Sequence, residues 1–182
     1  MSRTDPAIEA KLKNIIRTVG DFPKPGINFF DITTLLADAE GFALACKAMA
    51  DPYRDQNIDL VVGAESRGFI FGAAVARELN VGFIPVRKPG KLPAQTISEE
   101  YELEYGTDKL EMHADAIQKG QRILMVDDLL ATGGTMQAAC RMVEQLGGNI
   151  IGISFLIELT FLHGRAKLAD YPLHCLITYD AE

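Results

Sequence analysis

Residues 123–135 read ILMVDDLLATGGT. Four apolar residues, Ile123 to Val126, make the short continuous run expected of a strand buried on both faces. Asp127 and Asp128 then stand at the carboxyl end of that strand, the edge at which open parallel sheets bind their ligands. Adjacent strand residues face opposite ways, so the two carboxylates take different roles. One can accept hydrogen bonds from sugar hydroxyls; the other can do the same or hold a magnesium-bound water. Ala131, Thr132, Gly133, Gly134 and Thr135 follow. A turn of such small residues lets a phosphate approach the backbone, where N–H groups and a helix N-terminus meet its charge. The Thr132 and Thr135 hydroxyls can donate as well. The turn contains no lysine, unlike a P-loop, and no GxGxxG follows a strand, unlike a dinucleotide site. The plain alternative is a strand–helix turn with an ordinary N-cap.

Working outward, residues 134–146 read as a helix and 149–156 as a strand. The same strand–helix–strand order occurs upstream at 58–62, 67–79 and 82–86, where Gly68, Gly72, Ala73 and Ala76 form a packing face. Strands alternating with helices over short joints predict a parallel sheet. A short helix at 162–168 and a strand at 173–178 close the chain. Near the start, Ile8, Leu12, Ile15, Ile16 and Val19 recur at helical spacing behind Asp5-Pro6, with Gly20 as a stop. Asp21-Phe22-Pro23-Lys24-Pro25-Gly26 is extended, because its prolines resist helix. Residues 27–32 read as a short strand and 42–49 as a helix. Residues 88–118 hold Pro89, Gly90, Pro93 and Gly106 and no long apolar run, the mark of a lid, a hairpin or disorder. The sum is one α/β domain over residues 1–182: a Rossmann-like parallel β-sheet flanked by helices, with a small N-terminal hood (20–35) and a flexible lid loop (88–118).

Gly63-Ala64-Glu65-Ser66-Arg67-Gly68 joins the first of these strands to its helix. It is a second anion-binding turn at the same sheet edge, and Arg67 offers a fixed fork of donors suited to phosphate. The alternative is a Ser66 N-cap beside a surface arginine. Arg87, Lys88 and Lys91 end the next strand; three cations so close together in an acidic chain suit a polyanion, or else a solvated loop.

Composition narrows the classes. The chain has 182 residues and a formal net charge of −7, which fits one buried core and disfavours nucleic-acid binding. No uncharged apolar stretch is long enough for a bilayer, and the charged N-terminus lacks a signal-peptide core. The expectation is a cytoplasmic protein with neither membrane nor nucleic-acid partners. Cys46, Cys140 and Cys175 lack metal spacing and read as buried free thiols. His113, His163 and His174 are isolated, without zinc pairing.

The string ILMVDDLLATGGT resembles, at all thirteen positions, the phosphoribosyl diphosphate signature of the type I phosphoribosyltransferases. That resemblance implies Asp127 and Asp128 on the ribose hydroxyls and residues 131–135 around the 5-phosphate. It implies that Glu65, Ser66 and Arg67 line a pyrophosphate loop with a cis Glu65–Ser66 peptide. Arg87, Lys88 and Lys91 would also contact pyrophosphate, some of them across a homodimer interface. LEYGTDKLE (103–111) is similar to the lid of the adenine phosphoribosyltransferases, which makes Glu104 the acid/base residue and Tyr105 its neighbour. FPKPGINFFDIT (22–33) is similar to that family's hood, where the base stacks on apolar side chains. Backbone groups at Asn28 and Phe30 would read the base, with Phe29 either a base contact or strand core. The family usually has arginine where this chain has Phe30. LIEL (156–159) and GRAKL (164–168) resemble its C-terminal segment, placing Leu159 at the base and leaving Glu158 structural.

The implied reaction moves a 5-phosphoribosyl group from phosphoribosyl diphosphate to N9 of adenine, giving AMP and pyrophosphate in purine salvage. Glu104 and Arg67 would be catalytic. Magnesium would be held through the diphosphate and water, without direct protein ligands. Two rivals remain: a transferase for another purine base, and a phosphoribosyl-diphosphate sensor that regulates transcription. The sensor needs a DNA-binding domain or a basic face, which a short acidic chain does not offer.

Overall fold

The structure, a computed structural model, describes residues 4–102 and 106–181. Helix α1 (Pro6–Ile15) starts as expected, with Asp5 Oδ1 accepting the Ala7 amide at 2.9 Å and proline in the first turn. It ends before the predicted residue 19. Arg17–Val19 leaves the helix as β1 and pairs antiparallel with β2 (Phe29–Asp31). Apolar periodicity continues through Val19, but ladder hydrogen bonds to a distant segment override it. This two-stranded ribbon is the hood. After it come α2 (Thr33–Ala37) and α3 (Ala39–Ala50), the latter capped by Asp38 on the Gly41 amide at 2.6 Å.

The body alternates as the pattern predicts. It runs β3 (Leu60–Ala64), α4 (Gly68–Leu79), β4 (Gly82–Val86), then the hairpin β5 (Thr96–Glu102) and β6 (Thr107–His113). It continues through β7 (Arg122–Leu130), α5 (Gly134–Gln145), β8 (Asn149–Leu159) and β9 (Leu173–Tyr179). The predicted helix at 162–168 is instead two 3-10 segments, Thr160–Leu162 and Gly164–Leu168, broken at His163 with φ 53°. Five strands form one parallel sheet in the order β4-β3-β7-β8-β9. Chain direction across the sheet reverses between β3 and β7, so the crevice of this topology opens at their carboxyl ends.

Both faces of the sheet are covered. Val61, Leu124 and Val126 join Leu12, Met49, Phe71 and Val75 in one buried cluster. Val62, Ile123, Met125 and Phe155 join Met136, Cys140 and Val143 in the other. The alternation along β3 and β7 assigns each residue to its face. Cys46 and Cys140 are buried free thiols, pushed up to about 12 by burial, while Cys175 is only half-buried.

The segment 88–118 contains the β5–β6 hairpin, and much of it belongs to the core. Leu110, Met112 and Ile117 are buried. Paired bonds between Arg87 and Glu111, at 2.9 and 2.7 Å, fasten β6 to the end of β4. Among the described residues no helix is long and apolar enough to cross a membrane.

Candidate functional site

Strand β7 does not stop at Val126, as the apolar run suggests. It continues to Leu130 because β8 keeps pairing with it, Asp127 opposite Phe155 and Leu130 opposite Glu158. On its other side the ladder to β3 ends at Gly63 and Val126, since β3 turns away into the Glu65 loop. Asp127 and Asp128 therefore sit where β7 has lost one neighbour, at the crevice of the β3–β7 switch. Asp128 is buried and its Oδ2 lies 2.7 Å from Arg67 Nε. Asp127 faces the start of α4: a Cβ on Gly68 would lie 2.4 Å from its Oδ1, so a side chain there would displace the carboxylate. Burial pushes both carboxyls above their ordinary value. The charge of Asp128 raises Asp127 further, and the Arg67 guanidinium partly offsets the effect on Asp128.

The turn after β7 is built around two close backbone approaches. Gly133 has φ 79°, and a Cβ there would meet the Gly164 carbonyl oxygen at 2.6 Å. A Cβ on Gly164 would meet the Ala131 oxygen at 2.1 Å. The break at His163 thus braces the turn 131–134 from behind. Gly133 occupies the N-cap position of α5, and no side chain among the described residues caps that helix. The ordinary N-cap of the plain reading is not what this turn builds; its first N–H groups stay free for an anion. Thr132 and Thr135 are half-buried beside them.

In the second turn the Phe69 and Ile70 amides already bond to the Ser66 and Arg67 carbonyls, at 3.3 and 3.1 Å. Arg67, not Ser66, holds the N-cap position of α4, again without a side-chain cap among the described residues. The Glu65–Ser66 peptide is cis, as the resemblance implied. The Glu65 carboxylate accepts from Arg87 Nε at 2.8 Å, from Lys91 Nζ at 2.7 Å and from the Lys88 amide at 3.1 Å. Burial works against its ionisation, but Lys91, Arg87 and the Lys88 amide outweigh burial and hold the carboxyl below its usual range. A carboxylate repels a diphosphate, so the geometry gives Glu65 the task of holding cations. Lys88 Nζ goes elsewhere, to Asp108 near the turn end of the hairpin.

On the hood, adjacent residues of β2 separate to opposite faces. Phe29 points to the crevice side, with the Arg67 guanidinium 6.0 Å from its ring centre and exposed Phe22 edge-on at 5.2 Å. Phe30 turns inward and stacks on Tyr179 at 3.6 Å and 13°. Leu159, paired in register with Tyr179, packs on the same core cluster as Phe30. Asn28 is exposed. Glu158 is buried and ion-paired with Arg165. Glu104 and Tyr105 lie outside the described residues.

The structure thus gathers Arg67, Asp127, Asp128 and the 131–135 turn with Phe29 above them, and Glu65 with Arg87 and Lys91 alongside. Asp108, Tyr101 and the bracing role of Gly164 carried no sequence signal. Each depends on a partner far along the chain.

Comparison with known proteins places this geometry. The family model described as phosphoribosyl transferase domain matches residues 32–176. The adenine phosphoribosyltransferase of Acidobacterium capsulatum is 60% identical over 168 residues, covering 92% of this chain and 93% of that protein. The crystal structure of adenine phosphoribosyltransferase from Thermoanaerobacter pseudethanolicus superposes with a TM-score of 0.90 at 54% identity, covering 93% of this chain and 99% of that one. The Trypanosoma brucei enzyme, solved in complex with AMP, pyrophosphate and ribose-5-phosphate, gives a TM-score of 0.87 at 26% identity, covering 98% of this chain and 82% of that one.

Proposed function

The chain belongs to the adenine phosphoribosyltransferase family, and we propose from that premise how its residues carry the reaction. It is a pentosyltransferase of purine salvage that forms AMP and pyrophosphate from adenine and phosphoribosyl diphosphate. The observation that carries this is the convergence at the β3–β7 switch. An uncapped turn and a carboxylate pair, Asp128 buried and Asp127 half-buried, meet there, with Arg67 bridging them to a second anion loop.

In our reading the 131–135 turn takes the 5-phosphate through its backbone N–H groups. Asp127 and Asp128 accept from the ribose hydroxyls. When the donor enters, Arg67 leaves Asp128 for the diphosphate, where with Arg87 it balances leaving-group charge. Lys88 and Lys91 add charge at the same end, held in place through Glu65 and its loop. Phe29 stacks on adenine, with Leu159 beneath, and backbone groups at Asn28 and Phe30 read its edge. Glu104, flanked by Tyr105, exchanges the proton of the base by the resemblance already described. Two hard oxygen donors at the crevice suit the water shell of magnesium, which supplies charge neutralisation of the diphosphate when bound. Most of the acceleration then comes from positioning and electrostatics. We further propose a cytoplasmic homodimer.

Incubating the purified protein with adenine, donor and magnesium should yield AMP, with much less product after magnesium is chelated. No AMP under either condition would sink the assignment. Preference for a 6-oxopurine in competition would transfer it to another base, and lack of turnover with tight donor binding would favour the sensor.

A further inference from the structure

Lys88 stands apart from its neighbours. Arg87 and Lys91 share Glu65, a carboxylate at the root of the anion loop. Lys88 gives Glu65 only its backbone amide and carries its ammonium to Asp108 Oδ2. Asp108 lies directly opposite Tyr101 in the β5–β6 register, and its Oδ2 accepts the Tyr101 hydroxyl at 3.0 Å. Its Oδ1 accepts the Lys109 amide at 2.8 Å. Asp108 is therefore fixed by two groups besides Lys88 and would keep them if the lysine left. Tyr101 in turn lines a cleft of about 350 Å³ together with Gly134 of the phosphate turn. The Lys88 ammonium is thus parked on a carboxylate between the two anion-binding turns. Its side chain keeps 42% exposure against 23% for Asp108, so the ion pair is partly solvated and easily exchanged.

We propose that Asp108 is a positioning residue that stands in for the donor's phosphate: it holds Lys88 in the empty site, and the incoming diphosphate must take the lysine from it. This rests on the reading that the site binds phosphoribosyl diphosphate. Three consequences follow from the charges. With Asp108 ionised, Lys88 adds no net charge to the empty site, and Glu65 leaves one net positive charge on the Arg87–Lys91 pair. Donor affinity is set partly by the ion pair that must break. Pyrophosphate, which needs the same lysine, should feel the same competition on its way out. Asp108 thus weakens both donor and product, and helps the product leave.

Steady-state kinetics of Asp108→Asn test this. The KM for the donor should fall by up to about fivefold, the worth of a partly exposed ion pair. The inhibition constant of pyrophosphate should fall in parallel, and the KM for adenine should stay where it is. The effect must act through Lys88. In a Lys88→Met background the same Asp108→Asn change should leave the donor KM within error, giving a coupled double-mutant cycle. Asp108→Ala serves as the second variant, with the same expected direction, should the asparagine fold poorly. An unchanged or higher donor KM in both variants overturns the proposal. So does an equal fall with and without Lys88, which would mean a general change of charge. If the wild type forms no AMP, it is the assignment of the reaction that fails, a result separable from any of these.

Discussion

The carboxylate pair at the crevice is held at a cost in stability that its ligand removes. Asp127 and Asp128 are adjacent, largely desolvated and share one guanidinium. Both folded-state values lie above those of the unfolded chain, so the protonated forms favour folding. The stability they contribute is fully present below the ordinary aspartate value and is lost as pH rises through the raised folded value. The ligand-free protein should accordingly melt higher near the ordinary aspartate value than at neutral pH. Asp127→Asn should raise the ligand-free Tm at pH 7 by about 2–4 °C, which is ~1 kcal/mol in a domain of this size. It should flatten the pH dependence in that window and lower turnover by on the order of 100-fold, the scale of one lost preorganised electrostatic contact. Thermal melts at the two pH values decide it: a variant that melts lower, with the same pH slope, contradicts the account. The sequence displayed this pair plainly, because a buried apolar run followed by two acids is a local pattern. It did not display Asp128's partner, since the Arg67–Asp128 bond joins a loop to a strand, brought together only by the β3–β7 pairing.

At the level of elements, the hood shows how one register decides two roles. β1 and β2 pair Thr18 with Phe30 and Val19 with Phe29, and the pleat sends the two rings to opposite faces. Phe30 on Tyr179 is packing; Phe29, equally half-buried, lies beside Arg67 and Phe22. Phe30→Ala should therefore lower stability by about 2–4 kcal/mol, somewhat below the range for a fully buried ring, with little change in the KM for adenine. Phe29→Ala should do the reverse, raising that KM by about tenfold, as loss of one base-stacking ring does. If Phe29→Ala melts low while adenine binding is intact, the faces have been assigned the wrong way round. Neither face was legible beforehand, because two adjacent phenylalanines fit a strand in either register. Other elements were legible for the opposite reason. Strand β4 was read at its true bounds, 82–86, because a charged loop follows its apolar run and the helix stop at Asn80 lies just before it. The hairpin could not be told from a lid or disorder, since β5 is rich in glutamate and its apolar partners lie on α5 and β4.

Over the whole molecule the site is assembled from loops at one sheet edge, and its cationic end lies on the rim. Strand β4 is the outer strand there. Phe69 stands edge-on to Phe83 at 5.7 Å, and Arg87 lies over the Phe69 ring at 5.8 Å. Ile70, next along α4, is 39% exposed and is one of three large exposed apolar side chains among the described residues. Phe22 and Ile27, the other two, belong to the hood. An apolar spot beside Arg87, on α4, is where a second copy would bury surface and, in the proposed reading, complete the donor site. Sedimentation of the native protein should then give twice the chain mass. Ile70→Glu should shift it toward the monomer and raise the KM for the donor, because cations at the rim lose the surface that orders them. Adenine binding, which we assign to the hood, should change little. A native monomer would end this line of argument. A monomeric Ile70→Glu with full donor affinity would show instead that each chain's cations suffice, and that the second copy serves stability alone.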